Sequence, residues 1–151
     1  MRYLVDTNIL LSLSEPTRID HADVERCVKA LLKGGDSLLY TSQILGEFWN
    51  VSTRPVNSRG GLGLTATETD RRLRVIEKRF ILLEDNLRVH FQWRQLVVKY
   101  SVAGVAVHDA RIVATMSIHG VTHLVTNNVK DFSRYSGIMT AISVQDLNQA
   151  L

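Results

Sequence analysis

The sequence predicts a three-layer α/β/α sandwich with a mainly parallel central sheet. Five short runs rich in apolar residues are typical of strands buried inside a sheet, and between them apolar residues recur every three or four positions, as in amphipathic helices. Strands that alternate with helices favour crossover connections and hence a parallel sheet. The 151 residues contain no repeat, low-complexity segment or linker, so we expect one domain over residues 1–151.

The first eleven residues, MRYLVDTNILL, place a carboxylate at the end of a buried strand. Residues 3–5 form a continuous apolar run, Asp6 ends it, and a helix-like stretch begins behind Thr7 or Asn8, either of which is able to cap the helix. The carboxyl edge of an open α/β sheet is where ligands bind. The alternative role for Asp6 is simply to satisfy turn and cap donors.

The next elements are bounded by residues that start or stop helices. Pro16 breaks the first helical pattern, and Asp20 is the expected cap of a second helix, which ends at Gly34 and Gly35. A second strand is predicted at residues 38–41, where four mostly apolar residues follow this pair of glycines.

The middle of the chain contains two further helices and the clearest loop. Ser42 is the expected cap of a third helix, and residues 54–64 form a glycine-rich loop that lacks the Lys-Ser/Thr ending of a Walker A phosphate-binding loop. Thr65 and Glu68 form a capping-box pair for a fourth helix. The remaining predicted elements are a strand at 80–83, a helix at about 87–100, a helix from Asp109 to Gly120, and strands at 123–126 and 138–143 with a polar loop between them.

Composition narrows the class of protein. The net charge of +3 and the pI of about 9.2 weakly favour a nucleic-acid partner. The single cysteine, Cys27, lies on an apolar helix stripe and fits a reducing compartment. Because no signal peptide is evident and no apolar run approaches membrane-spanning length, we expect a cytoplasmic protein without a membrane partner.

Four carboxylates occupy comparable places along the chain. Asp6 ends the first strand, Glu47 lies in the helix after the second, Asp109 opens the helix before the fourth, and Asp131 follows the fourth. The topology therefore allows them to converge on one sheet edge. Clustered carboxylates repel one another unless a cation lies between them, and oxygen ligands favour Mg²⁺ or Mn²⁺. No cluster of cysteine and histidine competes for zinc.

Each of these residues also has a simpler role available. Asp109 would be favoured at any helix N-terminus by the macrodipole. Glu47 is within reach of an ion pair with Arg54, and Asp131 fits a solvated loop residue. We interpret His108 as a positioning or packing residue rather than a general base.

Positive charge is concentrated in the middle of the chain. Residues 54–99 contain ten Lys or Arg and five Asp or Glu, a net of +5, whereas the remaining residues have eight and ten, a net of −2. A basic loop and helix are able to hold a phosphate backbone while an acidic edge holds metal. The candidate RNA-binding residues are Arg54, Arg59, Arg71, Arg72 and Arg74. The alternative is a solvated helix face.

Four stretches in order, LVDTNILL, SQILGEFWNV, VHDARIVATM and LVTNNVKDF, together resemble the PIN domain, and more narrowly the VapC-type ribonuclease toxins of toxin–antitoxin pairs. They extend from Leu4 to Phe132. The resemblance implies a parallel sheet between helices, a divalent-metal site and cleavage of single-stranded RNA. It also implies a homodimer, for which we consider the helices carrying Trp49 and Trp93, and an antitoxin that blocks the acidic pocket.

The resemblance assigns roles to individual residues. It implies that Asp6, Glu47 and Asp109 are the metal-binding carboxylates. Thr7, Asn8 and Thr126 match polar positions that support the site. Many PIN domains have a fourth acidic residue immediately after the fourth strand, where this chain has Asn127 and Asn128, and Asp131 comes a few residues later. This departure leaves the number of metal ions open, with Asn128 and Asp131 expected to hold substrate or an outer water.

Three other functions stay open at this stage. A haloacid-dehalogenase-like phosphatase needs a second Asp two residues after the first, where this chain has Asn8. A PIN nuclease of RNA processing or decay would share all four stretches. A non-catalytic RNA-binding or regulatory PIN module would have lost carboxylates, whereas three remain here.

Overall fold

A computed structural model, which describes residues 1–151, contains one sheet of five strands that are all parallel to their neighbours. The strands are β1 (Arg2–Val5), β2 (Ser37–Thr41), β3 (Ile81–Leu83), β4 (His123–Val125) and β5 (Thr140–Ile142). Their order across the sheet is β3-β2-β1-β4-β5. The predicted parallel α/β sheet is therefore confirmed, although β5 is shorter than the predicted 138–143.

Helices cover the sheet in two groups. They are α1 (Thr7–Ser14), α2 (His21–Lys33), α3 (Ser42–Thr53), α4 (Ala66–Glu77), α5 (Leu87–Lys99), α6 (Ala106–Ile118), α7 (Val144–Ala150) and a 3₁₀ helix (Val129–Tyr135). α1 to α4 and α7 pack on one another, and α5, α6 and the 3₁₀ helix form a second packed set. Two helical layers around one sheet confirm the predicted three-layer sandwich. None of the helices is both long and apolar enough to cross a bilayer.

The strand order reverses at β1. From β1 the chain moves outward through β2 to β3, then returns across the sheet to β4 and β5. Right-handed crossover connections that run in opposite directions across a sheet place their helices on opposite faces of it. The loop after β1 and the loop after β4 therefore lead to different faces of the sheet and diverge from each other where the strand order reverses. The central strands β1, β2 and β4 are mostly buried, and Leu4, Leu39 and Leu124 in them are completely so. A rigid core thus fixes the edge where polar residues begin.

Two helix caps lie one residue earlier than predicted. The side chain of Asp6, rather than that of Thr7 or Asn8, accepts from the first amide of α1, and Thr41, rather than Ser42, caps α3 by accepting from Ile44 N. An N-cap residue needs extended backbone angles, and the last residue of a strand already has them. Each helix therefore begins directly at the strand end, which brings its first turn to the edge of the sheet.

Other boundaries also differ from the sequence prediction. α6 begins at Ala106 rather than Asp109, because Val107 and His108 continue the same helical turn. The polar loop after β4 contains the 3₁₀ helix, and α7, which the sequence analysis did not predict, is capped by Ser143. The capping box at Thr65 is half formed, since Glu68 binds arginines instead of returning to the cap.

The cap assignment at α3 is open to a direct test. Thr41→Ala should lower the free energy of unfolding by about 1 kcal/mol, because it removes the acceptor of an orphan amide. Ser42→Ala, at an exposed position that caps nothing, should change it by less than about 0.5 kcal/mol. Urea denaturation of both variants measures the difference. Equal losses in the two variants would contradict the assignment.

Candidate functional site at the carboxyl edge of the sheet

The candidate site lies where β1 and β4 end side by side. The amide of Asp6 donates to Val125 O at 3.0 Å, so the pairing of the two strands continues to this residue. Asp6 directly follows β1, and Thr126 directly follows β4. Both residues are buried, with the Asp6 residue only 6% exposed. The topology thus places a carboxylate and a hydroxyl together at the point where the strand order reverses.

The carboxylate of Asp6 is held by three donors. Thr7 N binds Oδ1 at 2.7 Å, while Thr126 Oγ1 and Asn8 Nδ2 donate to Oδ2 at 2.6 and 2.8 Å. Burial raises the pKa of Asp6 above its usual value, and the donors from Thr126 and Thr7 oppose that rise. The predicted supporting residues Thr7, Asn8 and Thr126 therefore contact the carboxylate or its neighbours, and they fix its orientation.

Glu47 approaches from the second turn of α3. Its Oε2 accepts from Thr7 Oγ1 at 2.8 Å, and its Oε1 accepts from Gln43 Nε2 at 3.0 Å. The same Gln43 nitrogen donates to His108 O at 3.0 Å, which ties α3 to α6. Glu47 forms no ion pair with Arg54, so that alternative from the sequence was wrong; Arg54 Nη1 instead donates to Arg59 O at 3.1 Å.

Gln43 is the residue of this site that the sequence analysis missed. Its position four residues before Glu47 puts the two side chains on one helix face, and that spacing was the available signal. Its Oε1 is buried and has no hydrogen-bond partner. A buried acceptor without a donor is costly to stability, and this one lies on the side chain whose amide nitrogen binds Glu47.

Asp109 enters from the first turn of α6 and is half-buried. The start of this helix is held by Trp93 Nε1, which donates to Val107 O at 2.9 Å. Burial raises the pKa of Asp109 from 3.8 to about 6, and the negative charges of Asp6, Asp131 and Glu47 add to the rise. His108, an exposed neighbour, opposes it slightly. Asp109 therefore lies close enough to the other three predicted carboxylates for their charges to act on it.

Asp131 lies in the 3₁₀ helix after β4, where it is exposed to solvent. Its amide donates to Asn128 O at 3.0 Å, and Asn128 N donates to Thr126 Oγ1 at 3.0 Å. Asn127 N donates to Asn8 Oδ1 at 3.1 Å. The segment is thereby hydrogen-bonded to the residues around Asp6, while the Asp131 side chain stays at the outer rim of the site.

The donor set suits a hard divalent cation. All the candidate ligands are oxygens, their charges repel one another, and a cation between them would relieve that repulsion. Nowhere do three or more His, Cys, Asp or Glu side chains form a group that could hold an ion as they stand. Asp6 and Glu47 each accept hydrogen bonds from protein donors on both carboxylate oxygens.

The predicted RNA-binding arginines divide into two kinds. Arg72 is mostly buried, pairs with Glu15 and Glu68, and donates to Ser14 O, so it joins α4 to the far end of α1. Eight helical residues separate that end from Asp6, a distance of about 12 Å. Arg71 and Arg74 are exposed and pair only with carboxylates of their own helix. Arg72 therefore has a structural contact that the other two lack.

The comparisons with known proteins agree with this architecture. The family model described as PIN domain matches residues 3–138. The fold is similar to that of VapBC2 from Rickettsia felis, solved with a DNA fragment from the promoter (TM-score 0.71, 18% identity, 95% of this chain and 98% of that chain), and to VapBC-1 from nontypeable Haemophilus influenzae (0.68, 17%, 96% and 99%).

A third similar structure is VapC20 from Mycobacterium tuberculosis, described as a Sarcin-Ricin loop cleaving toxin (TM-score 0.58, 17% identity, 81% of this chain and 86% of that chain). No curated protein sequence matches the chain. At these identities the structural likeness establishes the fold. Because the family model also spans nearly the whole sequence, the chain belongs to the PIN domain family.

Proposed function

We propose that the protein is a Mg²⁺- or Mn²⁺-dependent endoribonuclease. The observation that carries the proposal is the grouping of Asp6, Glu47, Asp109 and Asp131 at the carboxyl edge of the sheet, in a chain of the PIN family. Asp6 and Asp109 would hold the cation directly, and Glu47 would bind it or orient the attacking water. A bound divalent ion supplies an activated water and neutralises charge on the phosphate during in-line hydrolysis.

The chain's own residues prepare this chemistry. Thr126, Asn8 and the amide of Thr7 hold both oxygens of Asp6, which fixes the orientation of this carboxylate at the sheet edge. Thr7 and Gln43 hold Glu47 in the same way. Asn128 and the exposed Asp131 lie at the rim, where they would contact the substrate or an outer water.

We further propose that the nuclease is the toxin of a toxin–antitoxin pair. Support comes from the similar structures, which are VapBC structures, and the shared fold covers 95–96% of this chain and 98–99% of the neighbouring chain. The partner would then be a cognate antitoxin that shields the acidic edge, and the toxin would act in the cytoplasm as a homodimer. Arg54, Arg59, Arg71 and Arg74 remain the candidate contacts to the RNA backbone, and Arg72 would contribute mainly through stability.

Removing any of the three central carboxylates should abolish cleavage. Asp6→Asn, Glu47→Gln and Asp109→Asn keep side-chain size but remove the negative charge that binds a cation. Each purified variant should give no cleavage of a single-stranded RNA with Mn²⁺ while keeping the parent's circular dichroism. Parent-like cleavage by all three variants would refute the proposed site.

Asp131 should differ from Asp6 in a metal titration. Substituting a residue that does not bind the metal directly typically lowers metal affinity or activity by about 10–100-fold rather than eliminating it. Asp131→Asn should therefore need more Mn²⁺ but recover measurable cleavage at high concentration, whereas Asp6→Asn should stay inactive throughout. If both variants are equally inactive at saturating Mn²⁺, Asp131 is a direct ligand.

The burial of Asp109, together with the repulsion from its neighbouring carboxylates, should also appear as a pH dependence of stability in the metal-free protein. The folded state holds the Asp109 proton up to a pKa of about 6, whereas the unfolded chain releases it near 3.8. The folded state thus binds more protons across this interval, and stability should fall as the pH rises through it. Thermal unfolding in EDTA should show a smaller fall for Asp109→Asn, and a higher melting temperature at pH 7. An unchanged pH profile in this variant would exclude Asp109 as the source.

A further inference from the structure

Asp20 occupies the N-cap position of α2 but does not cap it. Its side chain makes no hydrogen bond to the helix, and its backbone angles, φ −94° and ψ 1°, differ from the extended angles of Asp6 and Thr41. A capping Asp contributes about 1 kcal/mol to stability. Asp20 does not make this stabilising contact with α2. Residues that depart from the usual preference of their position in this way are found preferentially at functional or strained sites.

The carboxylate of Asp20 is directed toward the candidate site instead. Its Oδ2 accepts from Ser12 Oγ, on α1, at 2.9 Å and from Asn127 Nδ2, in the loop after β4, at 3.1 Å. Ser12 is buried, so the carboxylate is anchored to the body of the protein. Asn127 is exposed, and this contact is the one that holds its side chain.

The contact continues to Asp6 through two further hydrogen bonds. The backbone amide of Asn127 donates to Asn8 Oδ1 at 3.1 Å, and Asn8 Nδ2 donates to Asp6 Oδ2 at 2.8 Å. Because Asn8 Oδ1 accepts from the Asn127 amide, Asn8 Nδ2 is the end of the side chain that faces Asp6 and donates to its carboxylate. Reversing this amide would put its oxygen against Asp6, where two acceptors would repel.

We propose that Asp20 is a positioning residue of the carboxylate site. By holding Asn127 it keeps the Asn127 amide on Asn8, and Asn8 then keeps its donor on Asp6. The inference rests on the proposed function only in that Asp6 binds a divalent cation. The hydrogen-bonded link from Asp20 to Asn8 is a property of the metal-free protein and is measurable separately.

Asp20→Ser is the decisive variant, because serine is common at helix N-termini but is too short to keep the contact with Asn127. If Asp20 acts by positioning, this variant should keep the parent's circular dichroism, yet exchange the Asn127 amide faster by NMR without metal. It should also bind Mn²⁺ about 10-fold more weakly, measured by electron paramagnetic resonance of free Mn²⁺. Asp20→Asn, whose amide oxygen still accepts, should restore both properties.

Two controls separate positioning from general stability. Asp23→Ala removes an exposed carboxylate of α2 that pairs only with Arg26, and it should leave exchange and Mn²⁺ binding unchanged. Asn127→Ala should weaken Mn²⁺ binding to the same extent as Asp20→Ser, and combining the two should add nothing.

Parent-like exchange and Mn²⁺ binding in Asp20→Ser would overturn the inference, as would additive losses in the double variant. Failure of the parent itself to bind Mn²⁺ would refute the proposed function and the positioning of a metal ligand. In that event the exchange of Asn127 in Asp20→Ser would still decide whether Asp20 holds the loop.

Discussion

The buried carboxylate of Asp6 is the constraint on which the rest of the site depends. A charge at the end of a buried strand is tolerated only if it is hydrogen-bonded, because burial disfavours the ionised form. Thr7, Asn8 and Thr126 supply the donors, and each of them has a position set by this requirement. The start of α1 and the residue after β4 are thereby fixed around one side chain.

The carboxylates are not equivalent, and their hydrogen bonds explain the difference. Asp6 has donors on both oxygens, and Glu47 has one on each, whereas no hydrogen bond to the side chain of Asp109 offsets its burial and the neighbouring charges. Burial, with the neighbouring negative charges adding to it, therefore raises the pKa of Asp109 to about 6. Asp109 is thus the carboxylate of the three whose charge the protein's own donors offset least.

The sequence predicts the strands and helices whose apolar residues form a continuous run or recur with the period of a helix. Continuous apolar runs identified β1 and β2, and the helical period identified α2 and α5, because burial alone decides those patterns. The caps of α1 and α3 were placed one residue late, because several polar residues in a row are able to cap and only backbone angles choose among them. The contacts of Gln43 with His108 and of Arg72 with Glu15 were missed because they join elements that are distant in sequence.

The two asparagines after β4 are the main departure from the acidic pattern of the family. The position of Asp20 explains why an asparagine, rather than an aspartate, suits position 127. An aspartate at position 127 would set a second carboxylate about as close to Asp20 Oδ2 as the present amide, which lies at 3.1 Å. Two carboxylates at that distance repel, whereas an amide donates. Asn127 and Asp20 are therefore compatible as a hydrogen-bonded pair. In this pair the negative charge is on Asp20 rather than on the residue that follows Thr126. The hydrogen bonds of Asp20 to Ser12 and Asn127 thus anchor the loop after β4 without adding a second carboxylate beside Asp20.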